Sequence, residues 1–147
     1  MLKRTNSENP DFTRLTGELD IELCRIYNTN PEDYEEYNRI TNLPTVVLAY
    51  ENDEAVGCGC FKIVDEKTIE IKRMFIQDDF RGKGIASRIL AEMEAWARET
   101  GYSEAILETG KGQPNAIKLY QKYGYEITEN YNQYDDLEIS VCLRKEL

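Results

Sequence analysis

The sequence predicts a mixed α/β fold, one central sheet with helices on both faces. Three observations carry that expectation. Strand-like runs at residues 45–50, 55–64 and 68–77 are separated only by short polar turns, so they read as an antiparallel meander. A strongly periodic segment at 85–100 then precedes a further strand-like run at 103–108, which suggests a crossover and locally parallel pairing. Amphipathic segments also lie before the meander and near the C-terminus. At 147 residues the chain is expected to form one domain, 1–147.

Each element has its own signal. Residues 11–27 read as a helix with Phe12, Leu15, Leu19, Leu23, Ile26 and Tyr27 on one face, and Asn9-Pro10 suits its start. Residues 31–40 read as a second, shorter helix with Glu32 and Asp33 in its first turn. The run 45–50 is β-branched and aliphatic, and Asn52-Asp53 and Asp65-Glu66 mark the turns of the meander. In 85–100, Ile85, Ala86, Ile89, Leu90, Met93, Trp96 and Ala97 recur at helical spacing, and Gly101 is a natural stop. Residues 114–123 read as a helix with Pro114 at its first position and Gly124 just past its end. The runs 125–131 and 137–143 close the chain as a hairpin.

Composition narrows the chemistry. The formal charge of −10 disfavours a nucleic acid, whose affinity rests on Lys and Arg, and is compatible with a cationic partner. No apolar run approaches the ~20 residues of a membrane span, and the start of the chain lacks an apolar leader core, so a cytoplasmic location is the default expectation. There is no histidine, which removes Ser-His-Asp and Cys-His catalysis and His-ligated zinc. Acid–base work then falls to Glu, Asp, Tyr, Lys or Cys. Cys58-Gly59-Cys60 puts two thiols on one face of a strand, but no second pair completes a zinc site. Cys24, Cys58, Cys60 and Cys142 are expected to be reduced, and no metal is expected.

The segment Arg81-Gly82-Lys83-Gly84-Ile85-Ala86 runs from a strand end into a helix N-terminus. Such a loop is an anion site: the first helical N–H groups lack intrahelical partners, the dipole is positive there, and glycine permits close approach. It is not a P-loop, since no G-x-x-x-x-G-K-[ST] is present, and not a G-x-G-x-x-G dinucleotide fingerprint. Arg81, Gly84 and Ala86 match the Gln/Arg-x-x-Gly-x-Gly/Ala motif of the GNAT superfamily of acetyl-CoA-dependent N-acetyltransferases. Residues 116–125, Ala-Ile-Lys-Leu-Tyr-Gln-Lys-Tyr-Gly-Tyr, are similar to that family's second signature. Two motifs in register, with the matching order of elements from residue 45 onward, identify the resemblance.

The resemblance implies a GNAT-like mixed sheet of about six to seven strands. It implies acetyl transfer from acetyl-CoA, as acyl-donor substrate, to a primary amine of a small molecule or peptide, by direct attack in a ternary complex. Backbone N–H groups of Arg81, Gly82, Lys83, Gly84, Ile85 and Ala86 would hold the CoA pyrophosphate. The main chain of Met74, Phe75 and Ile76 would pair with the pantetheine arm, with Met74 N–H at the thioester carbonyl. Tyr120 aligns with the tyrosine that protonates the departing thiolate, the alternative being a core role beside Leu119 and Tyr123. Glu70 resembles a glutamate general base; the alternatives are a water chain, or an ion pair of Glu70 with Lys72 or Arg73. Gln113 stands where the family often has an asparagine near the cofactor, and Asn115 is the other amide within reach. The segment from Leu107 to Gly110 ends the strand beside which the family admits CoA. Glu18, Asp20, Glu22, Asp33, Tyr34, Glu35, Tyr37, Asn38, Tyr131 and Tyr134 would line the acceptor side and suit a cationic amine, or simply form a solvated face. The partner set holds no nucleic acid and no membrane, and allows a homodimer. A non-catalytic acyl-CoA sensor or scaffold is the alternative function, and an unrelated nucleotide-binding protein ranks last.

Overall fold

A computed structural model describes residues 1–29, 42–130 and 140–147. The expected helix at 31–40 and the start of the last strand, with Asp33, Tyr34, Glu35, Tyr37, Asn38, Tyr131 and Tyr134, lie outside the described residues.

Seven strands form one mixed sheet, in the order β1-β2-β3-β4-β5-β7-β6. They are β1 (Leu2–Thr5), β2 (Val46–Glu51), β3 (Glu54–Ile63), β4 (Thr68–Ile76), β5 (Glu104–Gly110), β6 (Glu126–Thr128) and β7 (Ser140–Glu146). The meander is antiparallel through β2, β3 and β4, and β4 and β5 pair in parallel. Both features follow the sequence expectation. β1 does not: it was not anticipated, and it pairs antiparallel with β2 at the sheet edge. The closing hairpin is present as β6 and β7, but β7 lies between β5 and β6.

Three helices are described: α1 (Pro10–Tyr27), α2 (Ile85–Glu99) and α3 (Pro114–Lys122). Asn9 caps α1, its side chain accepting from Asp11 N–H at 2.9 Å, with Pro10 in the first turn. The chain leaves α1 through Asn28 in the left-handed region, φ 51°.

Two apolar clusters sandwich the sheet. On one face Phe12, Leu15 and Leu19 of α1 pack on Val46, Leu48, Cys58, Cys60 and Phe75. On the other, Ile85, Ile89, Leu90 and Met93 of α2 and Tyr120 of α3 pack on Val47, Phe61, Ile71, Leu107 and Leu143. At this face Tyr125 donates its hydroxyl to buried Glu94 at 2.7 Å, and Lys145 reaches the same carboxylate at 2.9 Å. The ion pair and the hydrogen bond tie the end of the second signature to α2.

Candidate active site

The site begins where the sheet comes apart. β4 and β5 are paired from Thr68↔Glu104 to Ile71↔Leu107 and no further. Beyond that point β4 runs on to Ile76 and β5 to Gly110 without a ladder between them. Backbone groups of the last part of β4 therefore face an opening, in the geometry that receives an extended ligand as an added strand.

A bulge sits at the top of this free edge. β3 pairs Cys58 with Phe75 and Cys60 with Lys72, so two residues of β4, Arg73 and Met74, oppose Gly59 alone. Arg73 takes the left-handed conformation, φ 59°, which a non-glycine residue adopts at a cost. The bulge is braced from below by the Cys58 and Cys60 thiols, which donate to the Arg73 and Lys72 carbonyls, each at 3.3 Å. Burial pushes the Cys58 thiol up to about 12 and raises Cys60 further, so both keep the proton that makes these bonds.

The glycine loop follows. A short turn of helix, Asp78–Phe80, leads to Gly82 and Gly84, both at φ 79°, a conformation that favours glycine. Gly84 caps α2 without any side-chain bond, and the first helical bond is from Arg88 N–H to the Gly84 carbonyl at 3.2 Å. The N–H groups of Ile85, Ala86 and Ser87 precede that bond and are free for an anion. A Cβ on Gly82 would meet nothing within 4 Å, and one on Gly84 only the Ser87 hydroxyl at 3.8 Å, so the surface above both is open. The side chain of Arg81 is engaged elsewhere. It donates to the Ile76 carbonyl and to Glu22, both at 2.8 Å, and reaches Asp78 at 3.3 Å. Lys83 lies over the Phe80 ring at 5.2 Å.

Tyr120 approaches from α3. It is buried, at 6% exposure, and stacks edge-on against Tyr125 at 5.8 Å. Burial first, and the Glu108 carboxylate second, raise its hydroxyl above the ordinary phenol range. Gln113 is at the N-cap of α3 and its amide donates to the Tyr27 hydroxyl at 3.4 Å. Tyr27 also lies so close over β5 that a Cβ on Gly110 would overlap its hydroxyl.

Glu70 is 3% exposed and lies between Lys62 at 3.5 Å and Lys72 at 3.9 Å. The ion pair with Lys72 is thus present, whereas Arg73 turns away to α1. There its Nη2 donates to the Thr16 carbonyl at 2.9 Å and to Asp20 at 2.8 Å. Burial holds the Lys72 ammonium below its ordinary value, with Glu70 opposing that shift.

Glu108 belongs to the strand-end segment whose polar groups are expected to touch cofactor or acceptor, and its carboxyl is strongly shifted by the fold. Burial pushes its carboxyl up to about 7; Lys72 pulls it down, Glu70 pushes it up, and a Ser140 hydrogen bond pulls it down. It stands on β5 one residue past the last β4–β5 pair. A carboxyl between the apolar Leu107 and the end of a buried strand was a signal available beforehand. Among the described residues no group of three or more acids and cysteines is arranged to hold a metal ion, and no helix is long and apolar enough to cross a membrane.

Comparison with known proteins bears on the fold and the family. The model of the Acetyltransferase (GNAT) family matches residues 10–125. The chain is 33% identical over 142 residues to the IAA acetyltransferase of Azospirillum brasilense, covering 91% of this chain and 89% of that protein. A solved structure from Klebsiella pneumoniae superposes with a TM-score of 0.83 at 27% identity, covering 100% of this chain and 97% of that one. A GNAT family acetyltransferase from Elizabethkingia anophelis with acetyl-CoA bound gives a TM-score of 0.62 at 28% identity, over 70% of this chain and 76% of that chain.

Proposed function

The chain belongs to the GNAT acetyltransferase family, and from that premise we propose that it moves the acetyl group of acetyl-CoA to a primary amine of a small molecule or peptide, by direct attack in a ternary complex. The observation that carries this reading is the unpaired edge of β4, which ends just before a helix N-terminus that no side chain caps. The residues fit acetyl-CoA in two independent ways. An open glycine surface with free helical N–H groups suits a pyrophosphate, and a strand edge without a partner suits the two amides of a pantetheine arm.

In this reading the backbone from Arg81 to Ala86 holds the pyrophosphate, while the Arg81 side chain fixes the loop to β4 and α1. Met74, Phe75 and Ile76 align the arm, and the N–H of Met74, at the bulge, would face the thioester carbonyl. As the amine attacks, that oxygen gains charge, and a fixed donor lowers the barrier. Gln113 orders the start of α3 near the arm. Tyr120 gives its proton to the thiolate as the C–S bond breaks. Its hydroxyl stays protonated at every pH at which the enzyme would work.

For the base, Glu108 suits the task better than Glu70. Glu70 already pairs with Lys62 and Lys72, and taking up a proton weakens both ion pairs. Glu108, near 7, gains and loses a proton close to neutral pH. The function is tested by thiol release from acetyl-CoA against a panel of primary amines. Turnover of at least one amine, with kcat lowered in Tyr120→Phe by about 10²-fold or more, supports it. Tight acetyl-CoA binding with no product from any amine would instead mark a sensor or scaffold.

A further inference from the structure

We infer that Arg73 forms a carboxylate subsite, so that the acceptor is an amine that also carries a carboxylate close to its nitrogen. The inference rests on the acetyltransferase reading above and names its acceptor class.

The guanidinium is buried, its side chain 5% exposed, yet only one of its nitrogens is used. Nη2 bonds the Thr16 carbonyl and Asp20, whereas Nε and Nη1 have no hydrogen-bond partner among the described residues. An interior N–H without an acceptor is destabilising, and more so on a charged group. If Arg73 served only to tie α1 to the bulge, Nη2 would suffice, and the other donors would be an uncompensated cost. The unused Nε and Nη1 flank Nη2 in one plane on a permanent cation, so a carboxylate that takes the place of Asp20 at Nη2 meets a two-donor edge that matches its two oxygens.

Position makes the same point. Arg73 is the residue before Met74, at the bulge where the acyl group is to be held, and its side chain lies on the α1 face of the sheet. The way in is marked by Asp20, whose carboxylate is 41% exposed and already touches the guanidinium at 2.8 Å. An acceptor carboxylate enters on that side and displaces or joins Asp20. The other charged groups facing this region are Glu18, which accepts from Gln77 at 3.1 Å, and the Glu70, Lys72 and Glu108 cluster. The acids of that cluster receive the ammonium end, so a zwitterionic acceptor meets an opposite charge at each end. A dianionic phosphate suits the place less well, because it would set two negative charges beside Asp20 where a carboxylate sets one.

The experiment compares three acceptors of one side chain: an α-amino acid, its primary amide and the matching amine without the carboxyl group. Thiol release is measured for the wild type, Arg73→Lys and Arg73→Met, and KM for acetyl-CoA and the thermal midpoint are recorded for each. The expected result is a kcat/KM for the amino acid about 10- to 100-fold above that for the amide or the plain amine, mostly through KM. In Arg73→Met this ratio falls towards one, and in Arg73→Lys it is intermediate. Equal use of all three acceptors by the wild type, or a preference that survives in Arg73→Met, overturns the subsite while leaving the acetyltransferase intact. If Arg73→Met fails to fold, the wild-type ratio and Arg73→Lys still decide. No turnover of any amine would overturn the acetyltransferase reading itself.

Discussion

At the scale of single residues, the fold sets two titratable groups to opposite tasks. Tyr120 is held as a neutral phenol, buried and edge-on against Tyr125, and Glu108 is moved to about 7. The second shift has a sign that can be checked. An unfolded glutamate titrates near 4.3, so the folded chain binds the Glu108 proton more tightly than the unfolded chain does. Stability is therefore lost as pH rises from about 4.3 to about 7, and the loss is complete above that. Glu108→Gln removes the penalty. Urea unfolding at pH 8 should show the variant more stable, by no more than about 3 kcal/mol, with the difference vanishing near pH 4. Activity should move the other way: kcat/KM of the wild type rises through about pH 7, and the variant loses both rate and that limb of the profile. A variant with an unchanged pH profile would remove Glu108 from the role of base.

At the scale of elements, the loop before α2 makes a prediction that separates binding from folding. Alanine at Gly84 meets no protein atom closer than 3.8 Å, so its direct cost is the left-handed backbone, about 1 kcal/mol. The new methyl group, however, stands on the surface proposed for the pyrophosphate. Gly84→Ala should lower the thermal midpoint slightly and raise KM for acetyl-CoA about tenfold or more. A variant with unchanged KM would place the pyrophosphate elsewhere. The glycines were readable because the conformation they need is written in the residue type. The same holds for Pro114 at the start of α3 and for the apolar spacing of α2. Arg73 was not readable: its left-handed φ is imposed by a register shift against Cys58 and Cys60, and arginine carries no mark of it. Nor was β1, whose Lys3 and Arg4 hide a strand. Its place rests on backbone pairing with β2 and on Arg4, which bonds Glu92 and Glu99 and lies 5.0 Å over Trp96. Glu92 and Glu99 are 88 and 95 residues away, beyond any local pattern.

At the scale of the whole molecule, the charge of −10 acts against a polyanionic donor, and this separates two ways of holding it. If CoA were gripped mainly by lysine and arginine side chains, salt would weaken binding steeply. The described site does not work that way. Arg81 is already paired with Glu22 and Asp78, and Lys83 rests on Phe80. What the proposed site offers the ligand is backbone: helical N–H groups and a strand edge, which are dipoles and neutral donors. Salt screens such short contacts little, but it does screen the repulsion between an acidic protein and an anionic ligand. Raising the salt from about 50 to about 300 mM should therefore weaken acetyl-CoA binding by less than about threefold, or strengthen it. The same screening relieves self-repulsion in the folded chain, so the thermal midpoint should rise over that range. Calorimetric titration and thermal unfolding at the two salt concentrations measure both effects. A fall in affinity of tenfold or more would mean that cationic side chains, and not the backbone of the glycine loop, carry the donor.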